Sequence, residues 1–182
     1  MAKTDREDER FKRLFDCAYR PLLAYALRRT PRLEDAEEIV ADTLLVAWRR
    51  RKDVPDGASA IPWMYGVARR LIANQRRGQI RRRRLERVLE HVRPSVVDPD
   101  ELAEMADTTR AVIAASARLS EDDQEVIRLA AWEGLSHEEI AVSLGCSENA
   151  AALRLHRARQ RLRRELLKED RFPGQEVVEV IP

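Results

Sequence analysis

The stretch LSHEEIAVSLGCSENAAALRLHRARQRLRREL, residues 135–166, carries two amphipathic segments on either side of a glycine. Ser136 followed three residues later by Glu139 forms a capping box, in which each side chain accepts the other residue's backbone N–H. It opens a short helix that runs to Leu144. Gly145 stops that helix, because the residue past a helix end takes a left-handed conformation that glycine enters without strain. Ser147 then caps a longer helix, on which Ala151, Leu155, Ala158 and Leu162 follow steps of four, three and four and make one stripe for burial. Arg154, Arg157, Arg161 and Arg164 share a neighbouring face. A capped short helix, a tight turn and a second helix, with small Ala141 and Ala151 permitting a close crossing, constitute the helix-turn-helix pattern. The second helix of such a motif enters the major groove, which makes Ser147, Asn149, Arg154, His156, Arg157 and Arg161 the candidate DNA-contacting residues. Asn149 and Arg154 reach toward base edges, and Arg157 and Arg161 toward phosphates. An αα-hairpin with a merely solvated arginine face is the competing reading, and the cap, turn and small-residue spacing weigh against it.

Working upstream, Ser120 is an N-cap for a helix from Glu121 to Trp132 that ends at Gly134, and a further helical segment spans Thr109 to Leu119. Before these lies PSVVDP, bracketed by Pro94 and Pro99, and then five acidic residues without a base over residues 95–107. This stretch reads as a linker over 92–108. The N-terminal part is again helical. Phe11, Leu14, Phe15, Ala18, Leu22, Tyr25 and Ala26 form one stripe over about residues 8 to 29, which Pro21 is expected to kink. Ala36, Ile39, Val40, Thr43, Leu44, Ala47 and Trp48 form a second, opened by Glu34, Asp35, Glu37 and Glu38 at the positive end of the helix dipole. The breaker cluster Lys52 to Ala60 is a loop, Pro62 suits a first helical position, and a third helix from Trp63 to about Arg84 turns Met64, Val67, Ala68, Leu71 and Ile72 inward.

The totals support an all-α protein of two small helical domains joined by a flexible linker. The chain has 182 residues, only 5% aromatic and 36% charged, a composition suited to amphipathic helices. Its net charge of +2 averages over blocks of opposite sign. Residues 66–93 hold ten Arg against two Glu, and residues 154–164 hold six Arg and no acid, so two separate nucleic-acid contacts are expected. Cys17 and Cys146 stand apart, without metal-ligand spacing, and are expected as small apolar core residues. The three His are scattered, so neither a zinc site nor any cofactor is implied. The isolated cysteines suit a reducing cytoplasm, and with no apolar run near the roughly 20 residues that span a bilayer, neither secretion nor membrane insertion is expected. The tail FPGQEVVEVIP, within residues 169–182, carries no helical pattern and is expected to be disordered.

Three long segments resemble the extracytoplasmic-function (ECF) sigma factors of the sigma-70 family. DAEEIVADTLLVAWRR, residues 35–50, is similar to the region-two helix that grips the clamp of the polymerase largest subunit. IPWMYGVARRLIANQRR, residues 61–77, is similar to the promoter-melting and −10-reading segment. Residues 119–166 are similar to region four, which reads the −35 element and touches the flap of the second-largest subunit. The resemblance implies region two over 7–91 and region four over 109–168. It implies a promoter-specific initiation factor, not an enzyme, whose partners are bacterial core RNA polymerase, promoter DNA and a dedicated anti-sigma factor. By the same resemblance Asp35, Glu38 and Asp42 contact the polymerase. Val54, Trp63, Tyr65, Arg69, Arg70 and Asn74 contact the melted non-template strand, where the Lys52 to Ala60 loop captures a flipped base.

Three rival classes are less well supported. A stand-alone helix-turn-helix regulator would carry a sensor or receiver domain ahead of its motif, and the first 90 residues show no α/β alternation. A recombinase or nuclease would need convergent carboxylates or an activated nucleophile, and Asp35, Glu38 and Asp42 line a helix flank with no convergent partner. A purely structural partner protein, such as an anti-sigma factor, would bind another protein through its charged helices, and polymerase binding without promoter-directed transcription would mark it.

Overall fold

The computed structural model describes residues 2–86 and 107–168, with side chains over 8–78 and 109–168. The expected tail, and the expected linker up to its last two residues, lie outside the described residues. Among the described residues the regular structure is helical: α1 (Ala2–Leu27), α2 (Leu33–Arg49), a 3-10 turn (Gly57–Ser59), α3 (Ala60–Glu86), α4 (Asp107–Ala117), α5 (Glu121–Ala131), α6 (His137–Leu144) and α7 (Glu148–Lys168). The chain divides into two compact units, one centred on α1 to α3 and the other on α4, α5 and α7.

The first unit is a three-helix bundle whose core follows from helical periodicity. Ala18, Leu22, Tyr25 and Ala26 of α1 are buried, as are Ala36, Ile39, Val40, Leu44 and Ala47 of α2 and Met64, Ala68 and Ile72 of α3. Thr43 joins them because its hydroxyl donates to the Ile39 carbonyl at 2.6 Å, which satisfies a buried polar group. Tyr25 and Tyr65 stack at 4.7 Å between centroids, and the Arg29 guanidinium lies 3.5 Å from the centre of the Tyr25 ring. Arg76 of α3 donates to the Arg29 carbonyl at 2.9 Å, which satisfies an acceptor just past the end of α1. At the start of α2 the Glu34 carboxyl is held below the usual value, first by a backbone N–H and then by the neighbouring Arg32.

Cys17 is exposed and is not a core residue, since it sits one position before Ala18, about 100° around the helix from the buried stripe. Cys146 is half-buried. Phe15 is 42% exposed at the edge of the stripe and stacks on Tyr19, which lies one turn on and is also exposed. The third helix starts at Ala60, three residues earlier than Trp63, so Pro62 is its third residue. That position is harmless, because a first-turn N–H has no intrahelical acceptor. Helix α1 runs through Pro21 to Leu27.

In the second unit, Ala111 and Ala115 of α4 and Leu119 meet Leu162 and Leu166 of α7, with Val112 and Ile127 packed against them. Val126 and Leu129 of α5, Ile140 of α6 and Ala151, Leu155 and Ala158 of α7 are buried as well. The Ser120 hydroxyl accepts from the Asp123 N–H at 3.2 Å, and three acids occupy the first turn of α5, where the helix dipole favours them. Gly134, which follows α5, has φ +64°, and a Cβ built there would meet nothing within 4 Å. The Gly134→Ala variant therefore isolates backbone strain: it is expected to lower unfolding stability by about 1 kcal/mol, with the surrounding packing left as it is. Chemical denaturation of the two proteins checks this, and Asn at the same site should recover part of the loss.

Candidate nucleic-acid interface

The capping box forms in both directions: the Glu139 N–H donates to Ser136 Oγ at 3.2 Å and the Ser136 N–H to Glu139 Oε2 at 2.8 Å. Helix α6 ends in a turn in which the Gly145 N–H donates to the Val142 carbonyl and the Cys146 N–H to the Ala141 carbonyl, with Gly145 at φ +65°. Ser147 accepts from the Ala150 N–H at 3.3 Å and starts α7. Since Ala151, Leu155, Ala158 and Leu162 are buried, the helix can present only its other faces. Ser147, Asn149, Arg154, His156 and Arg157 are exposed. His156 Nε2 lies 3.0 Å from Gln160 Nε2, one turn along the helix.

Arg161 differs from its neighbours. Its Nη1 donates to both carboxylate oxygens of Asp123 at 2.7 Å, and the same carboxylate accepts from the Ser120 hydroxyl at 2.8 Å. The pair ties the middle of α7 to the first turn of α5 across 38 residues. Periodicity groups Arg161 with Arg154 and Arg157, but it carries no information about a carboxylate so distant in the chain.

In the first unit Glu38 and Asp42 are exposed one turn apart on α2, and Asp35 is half-buried and accepts from Gln75 of α3 at 3.3 Å. The Lys52 to Ala60 loop is braced at its start by Arg50, which contacts Asp53 at 2.9 Å. Val54 is only 5% exposed and Tyr65 only 4%, so both side chains face the interior. Trp63 is half-buried, with the Arg50 guanidinium 6.0 Å from its ring centre. Arg69 is half-buried, while Arg70 and Asn74 are exposed and Asn74 accepts from Arg77. The remaining basic residues Arg81 to Arg84 continue along α3.

Comparison with known proteins connects these two surfaces. The family models described as Sigma-70 region 2 and Sigma-70, region 4 match residues 14–84 and 109–162. The ECF RNA polymerase sigma factor SigL of Mycobacterium tuberculosis is 36% identical over 152 residues, covering 82% of this chain and 85% of SigL. The chain belongs to the ECF sigma factors of the sigma-70 family. The RNA polymerase sigma-E factor of Streptomyces coelicolor is similarly related to this sigma factor, at 32% identity over 82% of this chain and 81% of the relative. Among solved structures, the sigma factor RpoE in complex with the anti-sigma factor NepR from Bartonella quintana matches with a TM-score of 0.63. Its identity is 27%, and the match covers 89% of this chain and 99% of that one. Among the described residues of this sigma factor, no helix is long and apolar enough to cross a membrane, and no cluster of ligand-type side chains could hold a metal ion.

Proposed function

We propose that this sigma factor binds core RNA polymerase through α2 and directs it to promoters by reading a −10 element with α3 and the preceding loop and a −35 element with α7. The observation that carries this reading is that one chain holds both sigma-70 regions in order, over residues 14–84 and 109–162. On this reading region two spans 7–91, a linker 92–108 and region four 109–168, and the chain works in the cytoplasm without catalytic chemistry of its own.

Within region two, Glu38 and Asp42 are the polymerase-facing charges, because they are exposed side by side, and Asp35 supports them from its contact with Gln75. Trp63, Arg69, Arg70 and Asn74 face the melted strand. Val54 and Tyr65 act from beneath as packing for the loop and the helix, as their burial requires. Within region four, Asn149 and Arg154 address bases and Arg157 addresses phosphate, with Ser147 and His156 beside them. Ala150, Ala151, Ala152 and Leu153 offer no side-chain hydrogen bonds, so DNA shape and backbone contacts contribute a large share of the recognition. An anti-sigma factor is a further expected partner, since the related RpoE was crystallised with NepR.

The test is run-off transcription from genomic fragments with purified core polymerase, with and without the protein, followed by mapping of RNA start sites. Starts that require the protein and share two upstream motifs are the expected result. Tight DNA binding without such starts would replace this reading with a stand-alone regulator.

A further inference from the structure

We propose that Arg10 of α1 is a positioning residue that holds the loop after α2 in its base-accepting form; the inference rests on the reading of that loop given above. The guanidinium of Arg10 spans the loop. Its Nη2 donates to the Val54 carbonyl at 2.8 Å and lies 2.7 Å from Asp56 Oδ1, and its Nη1 donates to the Arg51 carbonyl at 3.4 Å. One side chain from more than 40 residues upstream thus connects three positions across residues 51–56.

The loop's local ties cover its first half: the Asp53 N–H donates to the Arg50 carbonyl at 2.8 Å and the Arg50 side chain meets Asp53. Beyond Asp53 the chain passes through Pro55, which has no N–H to donate, before the 3-10 turn begins at Gly57. The long-range hydrogen bond to the Val54 carbonyl falls between these local ties and the 3-10 turn, at a residue whose side chain is itself buried. The ion pair with Asp56, which is 89% exposed, adds little by itself. The directional information is in the two carbonyl hydrogen bonds, and a planar fork of N–H donors suits two acceptors in a way that an ammonium does not.

The same interactions build a small surface cavity, lined by Arg10, Phe11 and Leu14 from α1 and by Arg51, Lys52 and Val54 from the loop. Because α1 supplies one wall, the shape of the depression depends on the loop staying against α1. Arg10 and Phe11 precede the residues matched by the region-two model, which begin at 14, whereas the loop they contact lies within the match. A loop released from α1 would spend less time in the form that accepts a base, and the apparent affinity for an unstacked base would fall by that fraction.

The experiment uses full-length protein with core polymerase and a synthetic bubble duplex carrying 2-aminopurine at successive non-template positions, whose fluorescence rises on unstacking. In parallel, hydrogen exchange is followed over residues 51–56 of the free protein. For Arg10→Ala, exchange in the loop should rise about tenfold with the rest of the chain unchanged. The fluorescence increase should fall at least about threefold, while polymerase binding stays at the wild-type level. Arg10→Lys, which keeps the charge but cannot hold both carbonyls, should fall between the two. If Arg10→Ala lowers the melting temperature of the whole protein, the Arg10→Lys comparison decides. Unchanged loop exchange, or faster exchange with full unstacking, would overturn the clamp while leaving base capture intact. Absence of unstacking at every position in the wild-type protein would overturn base capture and the clamp with it.

Discussion

Reversing Glu38 and Asp42 together to Arg is expected to weaken binding to core polymerase by at least about a hundredfold. The two carboxylates are exposed on the same face of α2, four residues apart, on the side opposite the buried Ala36, Ile39, Val40, Thr43 and Ala47. Neither contributes to the core, so the free protein should unfold as before. Close charge pairs across an interface have coupling energies from about 1.5 kcal/mol upward, and reversal replaces attraction by repulsion. Two such pairs at the low end already amount to about 3 kcal/mol, or more than two decades in affinity. The wild-type interaction should weaken as salt is raised, and the variant should lose less or gain, since salt screens the repulsion that has replaced the attraction. Titration of labelled core polymerase measures both quantities. Asp35→Asn is the informative companion: its carboxylate oxygen accepts from Gln75, and an amide oxygen can still do so, so a smaller loss is expected. Wild-type affinity in the doubly reversed protein would remove α2 from the polymerase interface.

The fold is legible in the sequence because its signals are local. Capping residues and glycines lie within four residues of the helix ends they control, and the buried stripes of α2 and α7 repeat within single helices. Hence Ser136 with Glu139, Gly145, Ser147 and the stripe from Ala151 to Leu162 stand where the spacing puts them. What the spacing cannot supply is the partner of a long side chain. Arg161 shares a helical face with Arg154 and Arg157, yet it meets a carboxylate that belongs to α5. Arg10 sits in an ordinary charged N-terminal stretch, and two of its three acceptors are main-chain carbonyls, which no sequence pattern marks. Aromatic residues raise a related problem. Tyr65 and Trp63 are two residues apart near a helix start, and the spacing does not show that Tyr65 stacks on Tyr25 of α1 and is buried while Trp63 is half-buried. Composition misleads at Cys17, because a small thiol fits a buried or an exposed position equally well, and its phase on α1 is what decides.

The contrast between Arg161 and its neighbours gives the second large effect. Replacing Arg154 and Arg157 together by Ala is expected to reduce affinity for a −35-containing duplex by between about thirtyfold and about a thousandfold, at about 1 to 2 kcal/mol for each side chain removed. Both side chains are exposed on α7, beside a stripe whose burial keeps that side of the helix from DNA. Removing a phosphate-binding group acts uniformly across sequences and makes binding less sensitive to salt, so the slope of log affinity against log salt should shrink by about one for the Arg157 contribution. Removing a base-reading group acts on the preferred sequence alone, and that separates the role of Arg154 from that of Arg157 when the single variants are compared on specific and scrambled duplexes. Arg161→Ala should behave differently from both. Its guanidinium is already engaged with Asp123, in a carboxylate that also receives the Ser120 hydroxyl, so its removal should loosen the α5–α7 junction while the salt slope stays near wild type. Binding curves over a series of salt concentrations for the single variants and the double variant distinguish these outcomes. A double variant that binds like wild type at moderate salt would exclude this face of α7 from the DNA interface. An Arg161→Ala protein whose salt slope fell as far as that of Arg157→Ala would mean that the Asp123 pairing opens when DNA binds.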